Sequence, residues 1–146
     1  MAALSSRLKS ILDALPLRPG LRVLEVGCGP GALARAIAAR VAPVGHVLGL
    51  DRSERAIAQA IAGSAAELAA GMVSFRRGAI EEFALAAGEA PFDLIIAVRV
   101  GALDGRHPDA QAQAWPRIRA ALAPGGCIFV DGVELTHAAI PDAASR

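Results

Sequence analysis

Aromatic side chains are scarce in this chain: four Phe, one Trp and no Tyr stand among 146 residues. That leaves little on which bases could stack, and lysines and arginines are spread evenly enough that the formal charge is only +1. A nucleic-acid binder needs a basic stripe or an aromatic platform, so nucleic acid is not expected as the ligand. Cysteine is nearly absent too. Cys28 and Cys127 each sit beside a glycine turn, a pattern that suits a reducing compartment rather than a disulfide framework. No apolar run is long enough to span a bilayer, because the most apolar stretch, "FDLIIAVRVGAL", carries Asp93 and Arg99. The first residues, "SSRLKSILDAL", mix charge with leucine at helical spacing, unlike a signal peptide. The expectation is a cytoplasmic chain with no membrane partner. His46, His107 and His137 are too scattered to suggest a metal site.

The length is that of one ordinary domain, large enough to bury a core without staples. Residues 1–146 are read as a single unit: an N-terminal helix within 1–19, an α/β core over 20–135 and a tail over 136–146. Leu4, Leu8, Ile11, Leu12 and Leu15 mark the first helix, ended by Pro16, Pro19 and Gly20. Short Val- and Leu-rich runs follow at 21–26, 46–51, 72–77 and 92–98, the composition of strands buried on both faces. Helical patterns separate them. Leu33, Ile37 and Val41 share one face; a second helix starts at Ser53 and carries Ile57, Ile61, Ala65 and Leu68. Residues 80–88 read as a weak helix or loop, and 109–122 as a helix that Pro116 either kinks or starts. "CIFVDGVEL", residues 127–135, reads as a fifth strand. This alternation predicts a doubly wound, mainly parallel sheet with helices on both faces. Ligands of such sheets bind beyond the carboxyl ends of the strands.

The stretch "VLEVGCGPGALARAI", residues 23–37, packs three glycines between an apolar run and a helical one. Two readings compete for it. As G-x-G-x-x-A, through Gly27, Gly29 and Ala32, it passes for a dinucleotide fingerprint with Asp51 placed for a ribose diol. As an acid-headed motif, it sets Glu25 two residues before Gly27, where a carboxylate fits poorly beside a pyrophosphate. The same carboxylate suits a ligand carrying an ammonium and a sulfonium. The loop "RVGALDGRHP" after the fourth strand offers Arg99 as a clamp for a carboxylate, and Asp104 or His107 as a group that orients or deprotonates a nucleophile. Cys28 reads as a small loop filler rather than a nucleophile.

In order along the chain, "LRPGLRVLEVGCGPG", "GLDRS", "FRRGAIEEF", "FDLIIAVRV" and "LAPGGCIFV" resemble the successive motifs of class I S-adenosylmethionine-dependent methyltransferases, from about residue 17 to residue 133. The resemblance implies a Rossmann-like sheet of order 3-2-1-4-5 and S-adenosylmethionine as cofactor, with transfer of its methyl group to a small-molecule acceptor. It implies that Glu25, Gly27, Cys28 and Gly29 line the methionine half, Gly31 opens the first helix, Asp51 holds the ribose and Arg52 flanks the adenine. Gly78, Ala79 and Ile80 then form the adenine turn, and Val98 lies near the methionine end. Many relatives have an acid where Ala79 stands, so here the hydrogen bond from the adenine amino group goes to Glu81, goes to water, or is absent. The family's C-terminal antiparallel pair is expected to be missing here, leaving the fifth strand as a bare apolar edge that a second copy of the chain would cover as a homodimer. The alternatives are a non-catalytic module that binds the cofactor, and a nicotinamide-dinucleotide oxidoreductase.

Overall fold

The computed structural model describes residues 4–135. The expected tail 136–146, with His137, and residues 1–3 lie outside the described residues. Ser5 accepts the Leu8 amide at 3.2 Å and so caps α1 (Ser6–Ala14). Five strands follow in alternation with helices: β1 (Arg22–Val26), α2 (Ala32–Val41), β2 (His46–Asp51), α3 (Glu54–Ala62), α4 (Ala65–Ala69), β3 (Val73–Arg77), β4 (Phe92–Ala97), α5 (Pro108–Ala121) and β5 (Leu122–Val130). A single 3-10 turn at Ile80–Glu82 stands where a weak helix or loop was expected.

The sheet runs β3-β2-β1-β4-β5-β6, with β1 to β5 parallel and the short β6 (Val133–Leu135) antiparallel to β5. The expected doubly wound order is therefore present, with the switch point between β1 and β4. Its central strands are mostly apolar because both faces are covered, with Glu25 of β1 the buried exception. Val23, Leu94 and Ile96 pack with Leu33, Ile37 and Val41 of α2, whereas Leu24, Ile95 and Ile128 pack with Trp115 and Ile118 of α5.

Two expectations need correction. The helix that starts at Ser53 does not continue to residue 68: it breaks at Gly63 and Ser64. The Ser64 hydroxyl is fully buried and accepts Arg35 Nη1 at 2.9 Å, so it bonds across to α2 instead of capping α4. The buried face of α3 is consequently Ile57 and Ala60, and Ile61 is 47% exposed. Of the two places expected for Pro116, it takes the one inside α5, and Pro108 occupies the helix start.

"CIFVDGVEL" is likewise not one strand. Asp131 (φ +50) and Gly132 (φ +82) make a two-residue turn, after which Val133, Glu134 and Leu135 pair with Val130, Phe129 and Ile128. Asp-Gly with both φ positive is the dipeptide that reverses a chain into a hairpin. The antiparallel strand expected to be missing is thus partly present, and it covers the β5 edge on which the homodimer expectation rested.

Gly49 of β2 makes the packing behind β1 possible. A Cβ there would fall 2.7 Å from the Phe75 ring and 2.9 Å from Cys28 Sγ, closer than packed atoms stand. Gly49→Ala is therefore expected to cost about 1–3 kcal/mol in denaturant unfolding. Phe75→Leu in the same chain should return part of that loss; an unaltered midpoint in the single variant would contradict this packing.

Candidate cofactor and active site

At the carboxyl end of β1 the backbone leaves the sheet and is tied to β2. The Gly27 and Cys28 amides both donate to the Leu50 carbonyl, at 2.7 and 3.0 Å. Gly27 has φ +73, and a Cβ on it would fall 2.8 Å from a Val100 methyl carbon. Only glycine suits both the backbone angle and the close approach of the loop after β4. The Gly29 amide donates to Asp51 Oδ2 at 2.8 Å, and the Ser53 amide to Asp51 Oδ1 at 2.9 Å. The Gly78 amide reaches the Asp51 carbonyl at 2.8 Å. Asp51 thus joins the loops that follow β1, β2 and β3, and Gly31 forms the N-cap of α2.

Glu25 is 3% exposed, and its Oε1 is buried with no hydrogen-bond partner. Burial, and secondarily the Asp51 carboxylate, push its carboxyl up to about 8. Without a cation beside it, the group is therefore mostly protonated at neutral pH. Cys28 is buried as well, and burial, Glu25 and Asp51 raise its thiol to about 12. A thiol so disfavoured as an anion is no nucleophile.

A cavity of about 350 Å³ opens over these strand ends, within the usual size range of small-molecule sites. Of the expected residues, Gly27, Asp51, Arg52, Gly78, Ile80, Arg99 and His107 line it. Glu25, Cys28, Gly29 and Gly31 are not on its wall; Gly29 is tied to Asp51 by its amide, and the charge of Asp51 acts on Glu25 and Cys28. Ala79, between Gly78 and Ile80, borders a neighbouring cavity with Arg76 and Phe83. Val98 also lies off this wall, bordering a third cavity with Ser5, Arg7, Leu8 and Arg99.

Asp104 is the clearest departure. It does not line the cavity, and both its oxygens are held by Arg106 Nε, at 2.9 and 2.8 Å. That guanidinium holds its carboxyl below the usual carboxylate range, which makes it a poor base. The loop is otherwise closed on itself. Arg106 Nη2 donates to the Arg99 carbonyl at 2.9 Å, the His107 amide donates to the Gly101 carbonyl at 3.1 Å, and the His107 ring lies against Gly101.

Val26, Ser53, Val100, Gly101, Ala102, Arg106 and Ala110 also line the wall without having been singled out as site residues. Most come from a segment with no periodicity, and only the position after the fourth strand could have drawn attention to them. Glu81 also lines the wall, 3.4 Å from Arg52 Nη1. Among the described residues no group of three or more His, Cys, Asp and Glu is arranged to hold a metal ion, and no helix is long and apolar enough to cross a membrane.

The raised Glu25 carboxyl has a consequence for stability. Its folded value lies above the ordinary 4.5, so the folded state keeps the proton. The stability it contributes is complete below about pH 4.5 and is lost as pH rises through about 8. Urea unfolding of Glu25→Gln should therefore show a stability advantage over the parent that grows between pH 5 and 8, by at most about 1.4 kcal/mol per pH unit. A difference independent of pH would mean that Glu25 is ionised in the folded protein.

The sequence matches the family described as "Methyltransferase domain" over residues 17–145. It is 40% identical over 124 residues to Nocamycin O-methyltransferase of Saccharothrix syringae, covering 85% of this chain and 42% of that one. It is 34% identical over 123 residues to trans-aconitate 2-methyltransferase of Methylobacterium nodulans, covering 82% and 41%. The fold superposes with a TM-score of 0.66 and 25% identity on an S-adenosylmethionine-dependent methyltransferase from Thiobacillus denitrificans in complex with S-adenosylhomocysteine, covering 87% of this chain and 48% of that one. The chain thus spans about two fifths of the length of these two curated relatives. With a family match over most of its residues and a sheet that agrees with it, the chain belongs to the class I S-adenosylmethionine-dependent methyltransferases.

Proposed function

We propose that this chain, as a single domain, binds S-adenosylmethionine and directs its methyl group to a small-molecule acceptor. The observation that carries the reading is Glu25. A buried carboxyl with an unpartnered oxygen, set beside a second acid, is satisfied by a ligand that brings positive charge. A pyrophosphate would instead place further negative charge against Glu25 and Asp51, which counts against the nicotinamide reading.

In this assignment Asp51 accepts the ribose hydroxyls with the lone pairs left beyond its two amide bonds. Ile80 packs on the adenine, Arg52 flanks it, and Glu81 offers an acceptor for its amino group in place of the acid missing at Ala79. The cofactor supplies an activated methyl group: the acceptor's lone pair forms the new bond to carbon while the carbon–sulfur pair stays with sulfur. The protein's share is to align the acceptor and exclude water, and alignment alone can supply about 7–11 kcal/mol of the barrier. His107 lines the cavity and can take the proton of an acceptor that arrives protonated. The names of the two curated relatives, one for nocamycin and one for trans-aconitate, support a small-molecule acceptor.

Calorimetric titration with S-adenosylhomocysteine and with NAD tests the reading. S-adenosylhomocysteine should bind, NAD should not, and Asp51→Ala should weaken the first by about ten- to a hundredfold, the loss of charge-assisted hydrogen bonds. Binding of NAD alone would overturn it. Binding without turnover against any acceptor would favour the non-catalytic module.

A further inference from the structure

We infer that the methyl acceptor is a small carboxylic acid, and that the Arg99 guanidinium holds its carboxylate. The inference rests on the methyltransferase reading above and names the class of its acceptor. Several charged groups around the site already have partners. Arg52 faces Glu81 at 3.4 Å. Arg106 spans both oxygens of Asp104 through Nε. Both oxygens of Asp51 receive backbone amides. Among the described residues, no hydrogen bond or ion pair engages the Arg99 guanidinium, which lies at the end of β4 with the side chain exposed.

Arg99 is nevertheless held in place. Its backbone has φ +55, a conformation that a residue with a side chain rarely adopts. It is fixed from both sides: the Arg99 amide donates to Asp131 Oδ1 at 2.8 Å, and its carbonyl accepts Arg106 Nη2 at 2.9 Å. Asp131 is itself anchored, its amide donating to the Ala97 carbonyl at 2.9 Å. A strained backbone pinned by two side chains, one of them from the β5–β6 turn, presents a free cation from a defined point.

That point is a partition. Arg99 lines the cofactor cavity and also borders the third cavity, of about 370 Å³, with Ser5, Arg7, Leu8 and Val98. Among the described residues, the wall of this third cavity carries two arginines and no acid. Arg7 has a counter-charge in Asp131, at 3.6 Å, and the Asp131 carboxylate is also the group that fixes Arg99. An acceptor entering here meets a cationic wall one residue away from the cofactor cavity. A guanidinium fork matches a carboxylate bidentately, and in a partly enclosed site such a pair orients as well as attracts. Neutral acceptors of the same shape gain nothing from it, so Arg99 acts as a specificity-determining residue.

The test uses the protein loaded with S-adenosylhomocysteine and titrates succinate against succinamide, two probes of like size that differ in charge. Succinate should bind and succinamide should not. Arg99→Gln should weaken succinate by about tenfold or more, while Arg99→Lys, which keeps the charge but lacks the fork, should fall between. Arg18→Gln, an exposed arginine bordering a different cavity, should match the parent. Retained binding of S-adenosylhomocysteine by Arg99→Gln establishes that the variant is folded. Equal affinity for the two probes, no binding of succinate, or an unchanged Arg99→Gln would overturn the inference while leaving the methyltransferase reading intact. Failure of the parent protein to bind S-adenosylhomocysteine would overturn both.

Discussion

A carboxyl group enclosed in apolar surroundings at the end of β1 is the constraint on which the rest of the site depends. Glu25 occupies the face of the central strand that otherwise carries Val23, and its neighbours across the sheet are Gly49 and Ile96. Burying such a group is unfavourable unless a partner compensates, and one of its oxygens has none. Folded proteins keep a feature of this kind where binding offsets it, so a stability defect and a ligand preference come from the same atom. The glycine at position 49, paired with Glu25, lets Cys28 and Phe75 close in on the strand beside the acid.

Asp51 distributes that constraint. Its two oxygens and its carbonyl receive amides from Gly29, Ser53 and Gly78, so the loops after three parallel strands are positioned from one residue. On the other side of the switch point, charged side chains hold the loop after β4 together with backbone bonds within it. Arg106 links Asp104 to the Arg99 carbonyl, and Asp131 links Arg99 to the turn before β6. Val100 of this loop then rests on Gly27. The cavity is the space left between a glycine-rich half held by hydrogen bonds to Asp51 and a half held by charged side chains and backbone bonds.

The sheet was legible in the sequence because its strands are short apolar runs ended by glycine or charge, and their order followed from the family motifs. The hairpin was legible too, in principle: Asp131-Gly132 between two apolar runs is a turn dipeptide, but the continuous run "CIFVDGVEL" masked it. Helical periodicity carried the reading past Gly63, because nothing local reveals that the Ser64 hydroxyl is taken by Arg35 from another helix. At the site, Gly27 was readable from the spacing of the glycine loop, and Gly78 only through the family resemblance. Arg106 and Val100 were not, since loop residues acquire their roles from contacts distant in sequence. Asp104 shows the converse, an acid in the right loop whose carboxylate another residue has already taken.

The central claim is that Glu25 waits, protonated, for a cationic ligand. The most direct measurement is the number of protons exchanged when S-adenosylhomocysteine binds at pH 7, obtained by calorimetry in two buffers of different ionisation enthalpy. Its ammonium group should draw the carboxyl into its charged form, so the account predicts release of a substantial fraction of one proton by the parent protein and none from Glu25→Gln. Binding with no proton release, or the same release from both proteins, would contradict it.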